Sequence, residues 1–156
     1  MNFPGDCGCE FYEGDADVIG DAISAANWMA LRNGTAARSF VGFPTFIIGA
    51  YVVELTAAIG SVIQQPNLQI NEGRIVAGED GHWSANVIPV DWVAAMGSVT
   101  EKDVPLVIQR WKEECVKEYD EVEDWQNDEL RDRLYRLTLL CKEAQSRGSD
   151  VVFLYL

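Results

Sequence analysis

Few side chains in this 156-residue chain have types and spacing that raise a chemical possibility, and four of them are cysteines. Cys7-Gly8-Cys9 offers two thiolates close together, half of what a tetrahedral zinc site needs, and Cys115 and Cys141 could complete the set. Both later cysteines, however, fall on regular apolar stripes, where a free thiol behaves as a small hydrophobe. Cys7 and Cys9 are therefore the only metal candidates, and no metal or cofactor is expected. His82 is the only histidine, which removes every mechanism built on a histidine pair. One imidazole can still serve a Ser or Cys nucleophile. His82 follows an Asp80-Gly81 turn, where solvent exposure is the ordinary outcome. Asp15-x-Asp17 with Gly20 resembles part of a calcium loop, but Ile19 and Ala26 stand where oxygen ligands belong. Helix capping accounts for both aspartates.

Glu54 is the one charged residue between Phe40 and Ile63. On a helix it lies beside Ala50, Ala57, Ala58 and Ser61, and small neighbours leave room around its carboxylate. A buried carboxylate without a partner has its pKa raised and can act as a general acid or base. Glu54 and His82 are thus the catalytic candidates. The ordinary alternative for Glu54 is an ion pair with Arg38 or Arg74, or exposure of that helical face. Trp125 stands among Glu121, Glu123, Asp124 and Asp128, and an aromatic inside an acidic patch suits a binding anchor. Its ordinary role is to fold onto Leu130 as a hydrophobic staple. No G-x-G-x-x-G, lysine-bearing phosphate loop or G-x-S-x-G elbow occurs, which weighs against an enzyme.

Helices and strands must position these groups. Ile19, Ala22, Ile23, Ala26, Met29 and Ala30 make one stripe and predict a helix over 16–33 stopped at Asn33-Gly34. A loop through Pro44 leads to an apolar helix from about 45 to 63, ended by Pro66. Turn residues at 71–73 and 79–81 divide Leu68–Ile70, Arg74–Ala77 and His82–Ile88 into two or three antiparallel strands, with Phe11-Tyr12 as another short one. A short helix is predicted at 91–97 with Asp91 as its cap. A longer one runs over 104–119, carrying Val104, Val107, Ile108, Trp111, Cys115 and Tyr119 behind Asp103. The last helix spans 128–147 and closes at Gly148. Val151–Leu156 is too uniformly apolar for an exposed edge and is expected inside the sheet. The fold class is α+β, a single domain over 1–156 with four to five helices on a small, mostly antiparallel sheet that includes the C-terminal strand.

The second half of the chain also resembles a known family. Pro89-Val90-Asp91-Trp92-Val93-Ala94-Ala95, the Trp111-bearing helix, and Leu137–Gly148 followed by an apolar strand are similar to the last half of small bacterial YfbM-like proteins. The resemblance covers about residues 88–156. It implies an α+β fold and carries no assigned activity, hence no site residues.

Charge narrows the partners. Lys and Arg number 12 against 25 Asp and Glu, a net −13. Such a chain repels phosphate backbones and anionic lipid, so neither nucleic acid nor membrane is an expected partner, whereas a basic protein is. Residues 113–132 hold ten carboxylates against Lys117 and Arg131, a net −8. The 40–63 run would be long enough to span a bilayer. Glu54 near its centre and the interspersed Gly, Thr and Ser argue for a buried position in a soluble body instead. Met1–Asp6 lacks the basic and apolar regions of a signal peptide, and one pair, Cys7 and Cys9, too close for an ordinary disulfide, with two further thiols on apolar stripes, suits a reducing cytoplasm. Together these residues predict an acidic cytoplasmic interaction domain, immunity- or inhibitor-like, that docks a basic partner. The alternatives are a small enzyme or ligand-binding protein with Glu54 in a pocket, and acidity that serves solubility alone.

Overall fold

The structure is a computed structural model that describes residues 8–44, 47–70, 73–78, 83–119 and 127–155. In chain order its elements are β1 Cys9–Gly14, α1 Ala16–Ser24, α2 Trp28–Arg32, β2 Ser39–Phe43, α3 Val52–Val62, β3 Ile75–Ala77, β4 Ser84–Val87, α4 Val90–Ser98, α5 Val104–Glu118, α6 Asn127–Arg147 and β5 Asp150–Tyr155. The five strands form one sheet in the order β2-β1-β5-β4-β3, and every neighbouring pair is antiparallel. This is the expected α+β class, with the C-terminal strand at the centre of the sheet.

Both faces of the sheet are covered, because alternate residues of its central strands feed two separate cores. Phe11, Val41, Phe43, Val151 and Phe153 point to the side packed by α3, α4, α5 and α6. Tyr12, Val152, Leu154 and Ala85 point to the other, covered by Ile19, Ile23 and Leu31 of α1 and α2. A strand lined on both sides reads as the continuous apolar run of Val151–Leu154.

Several expectations are corrected. The helix predicted over 16–33 is two helices, making six in all among the described residues. Its chain breaks at Ala26, whose φ of 53° is left-handed, and Asn27 then caps α2 by accepting from the Ala30 N–H at 3.3 Å. The loop expected before Pro44 contains β2, which pairs with the free edge of β1 in the register Phe11↔Val41 and Glu13↔Ser39. The helix predicted over 45–63 is α3 alone, preceded by a 3-10 turn at Gly49–Tyr51. Leu68–Ile70 forms no strand. Asp91 lies in the first turn of α4, with Pro89 at the boundary. Asp103 makes no cap: its carboxylate accepts from the Thr100 hydroxyl at 2.9 Å instead. The apolar stretch of 40–63 is thus divided between an edge strand and a three-turn helix. Among the described residues no helix is long and apolar enough to cross a membrane.

Two tryptophans fix α3 against its neighbours. Trp111 of α5 donates from Nε1 to the Tyr51 carbonyl at 2.9 Å, just before α3 begins. Trp92 of α4 donates to the Thr56 hydroxyl at 2.9 Å, and that hydroxyl donates in turn to the Val52 carbonyl at 2.7 Å. Both indoles are fully buried, and losing a buried ring of this size costs about 3–5 kcal/mol. The first turn of α3 is consequently held in place from two sides.

Candidate functional site

That first turn carries Glu54, its third residue. The side chain is turned inward: Glu54 is 8 % exposed, and its Oε2 has no hydrogen-bond partner among the described residues. No ion pair joins it to Arg38 or Arg74. Arg74 is committed to Asp17, Nη1 to Oδ1 at 2.6 Å. The carboxylate faces α5, where Glu114, Cys115, Glu118 and Tyr119 share its surroundings. The Tyr51 and Tyr119 rings meet across the same seam, 5.0 Å apart at a 59° tilt.

Electrostatics follow from this packing. Burial is the chief reason that the Glu54 pKa lies above the ordinary carboxylate range; a hydrogen bond from its own backbone N–H opposes the shift, and the Glu118 and Glu114 charges add to it. The Cys115 thiol is pushed up to about 12, first by burial and then by Glu54 and Glu114. It stays protonated at neutral pH and makes a poor nucleophile. Burial likewise raises Cys141, and both cysteines sit in the core as the apolar stripes required. The Tyr119 hydroxyl is raised by burial and by Glu54.

The other candidates separate. Cys9 is buried on β1, while Cys7 lies outside the described residues. So do His82, Glu121, Glu123, Asp124 and Trp125. Asp128 is exposed in the first turn of α6. Asp15 caps α1, its Oδ1 accepting from the Asp17 and Val18 N–H groups at 3.0 and 3.1 Å. Among the described residues no group of three or more His, Cys, Asp and Glu is arranged to hold a metal ion.

Sequence reasoning missed two buried carboxylates on β1. Glu10 accepts from Arg32 Nη2 at 2.6 Å and from the Tyr12 hydroxyl. Glu13, on the opposite face, accepts from Arg147 Nη1 at 2.8 Å. Their only signal was the alternation Glu10-Phe11-Tyr12-Glu13 within a strand whose full length was not recognised. Unlike Glu54, each has an arginine.

Two concavities lie elsewhere. One, of about 380 Å³, is walled by Val53, Trp83, Phe153 and Tyr155 with Ser84 and Asn86 as its polar edge. A wider polar one, about 640 Å³, runs between the 65–69 loop and α4. Glu54 lines neither. No family model, curated protein or solved structure matches this chain.

Proposed function

We propose that this protein is an acidic docking module for a basic protein segment, in the manner of an immunity protein or inhibitor. One observation carries the reading: carboxylates at the end of α5 and the start of α6 are exposed and uncommitted. Glu118, Asp128 and Glu129 face solvent and join no ion pair among the described residues. Asp128 and Glu129 favour the helix dipole where they stand, but Glu118, in the last turn of α5, opposes it. A charge placed against its own helix is better explained by a partner than by stability. The chain between these helices, residues 120–126, adds four more carboxylates and Trp125.

The mechanism is electrostatic steering, in which a field of one sign raises the encounter rate with an oppositely charged surface. A reducing cytoplasmic setting belongs to this reading and is supported by the buried free thiols of Cys115 and Cys141. Titration with an oligolysine peptide tests it. Affinity is expected to fall by about tenfold or more between about 20 mM and about 500 mM NaCl. Absence of binding, or binding indifferent to salt, would overturn the proposal.

A further inference from the structure

We infer that the seam between α3 and α5 is a socket for a primary ammonium group, a lysine side chain of the basic partner, with Glu54 as its floor. The inference rests on the docking reading and assigns that surface its central contact.

A buried carboxylate ordinarily has a cation or a full set of hydrogen-bond donors. Glu10 and Glu13 obey this rule through Arg32 and Arg147. Glu54 does not: among the described residues no cation pairs with it. Residues 39–73, which include all of α3, contain no Lys or Arg, and neither do residues 118–130. Lys117, one turn from Glu114 on α5, pairs with that residue at 2.8 Å and is 65 % exposed. Carboxylates are instead gathered there: Glu114 and Glu118 sit on the helix that Glu54 faces. Among the described residues nothing neutralises this group, and the missing charge is positive.

The shape of the seam selects the cation. A divalent metal needs several converging ligands, and no such set exists among the described residues. A guanidinium binds best where both oxygens of a carboxylate lie open in one plane. Here Oε2 is the buried oxygen left without a partner among the described residues. An ammonium is a point charge on a slender stem and fits a single acceptor. The walls also suit that stem. Tyr51 and Tyr119 supply aromatic surface, favourable to a cation at close range, and Ala57, three residues along α3 from Glu54, is small and exposed.

The test combines n-butylammonium, which is the lysine head without a peptide, with the oligolysine peptide. Butylammonium is expected to shift the backbone amide resonances of 51–55 and 115–119, and Glu54→Gln to abolish those shifts. Glutamine keeps the shape, and an otherwise unchanged amide spectrum shows that the variant folds. For oligolysine, Glu54→Gln is expected to weaken binding about tenfold or more, against about twofold for Glu118→Gln, which removes an exposed charge of the same sign. Equal losses in the two variants overturn the socket and leave surface docking intact. Butylammonium shifts without oligolysine binding uphold the socket and remove the docking module. If Mg²⁺ or Ca²⁺ moves these resonances and butylammonium does not, the ammonium assignment is overturned in favour of a metal.

Discussion

Among the described residues three glutamates are buried, and they reach burial by different routes. Glu10 and Glu13 lie on a central strand with arginines reaching in from the rim, Arg32 at 31 % and Arg147 at 44 % exposure. Those guanidiniums keep part of their hydration while pairing with a dry carboxylate, an arrangement suited to the length and flatness of arginine. Glu54 has no such partner, so ionising it opposes folding. Its folded pKa is raised above the unfolded value, first by burial, with Glu114 and Glu118 of α5 adding like charge. The other groups facing it, Tyr51, Cys115 and Tyr119, bring no positive charge. The sign is therefore fixed: the folded state binds the proton more tightly, and stability falls as pH rises through the unfolded and then the folded pKa. Glu54→Gln is expected to raise the unfolding free energy by about 1 kcal/mol at pH 7, with the gain shrinking toward zero below the unfolded pKa of about 4.3. Urea unfolding of both proteins across that range checks it. A gain that is constant with pH would mean that the carboxylate does not carry the effect. Spacing in the sequence was enough to single out Glu54 and its small neighbours. Its lack of a counter-ion was not legible, because only tertiary packing decides that Arg74 goes to Asp17 instead.

At the scale of elements, the helices α1, α3 and α6 end in the same way. In each, an N–H just beyond the helix turns back five residues: Asn27 to Ala22 at 2.8 Å, Gln65 to Gly60 at 2.8 Å and Ser149 to Ala144 at 3.0 Å. The residue just before each of these donors is left-handed, and the three are Ala26, Gln64 and Gly148, with φ of 53°, 59° and 65°. Glycine adopts this conformation cheaply and a residue with Cβ does not. This explains why the end of α6 at Gly148 was readable while the end of α1 was not. The apolar stripe runs through Ala26 uninterrupted, and the only hint of a break was Asn27, a capping residue inside an otherwise helical pattern. Strand β2 was hidden for a related reason, since Phe40–Phe43 belongs to an apolar run whose composition suits a buried helix as well as a strand. The shared geometry gives opposite signs for two substitutions. Ala26→Gly is expected to stabilise by about 0.5–1 kcal/mol, and Gly148→Ala to destabilise by about 1 kcal/mol. At Gly148 a Cβ would meet nothing within 4 Å, so the cost is purely conformational. Thermal unfolding midpoints should move up for the first and down for the second. Movement of both in one direction would refute the account.

For the whole molecule, the chain's last segment closes the sheet between β1 and β4. The placement of that strand was readable from Val151–Leu156, because an unbroken apolar run demands cover on both sides. The order of the strands around it was not, since it depends on register between segments far apart in sequence. This architecture must hold together under a net charge of −13. Among the described residues most ion pairs are on the surface, such as Arg74–Asp17 and Lys117–Glu114, and exposed pairs contribute little. The two that matter, at Glu10 and Glu13, are buried on the carboxylate side and are screened least. Added salt therefore weakens long-range repulsion among 25 carboxylates more than it weakens the attractions that hold the fold. The unfolding midpoint is expected to rise by about 5 °C between about 10 mM and about 500 mM NaCl. Binding of a basic segment should move the opposite way over the same range, because there the unscreened field is the attraction itself. A fold that salt strengthens and a complex that salt weakens are the paired signature of acidity directed at a partner. If the midpoint fell with salt, the surface pairs would be stabilising, and the carboxylates would have to be counted as part of the scaffold.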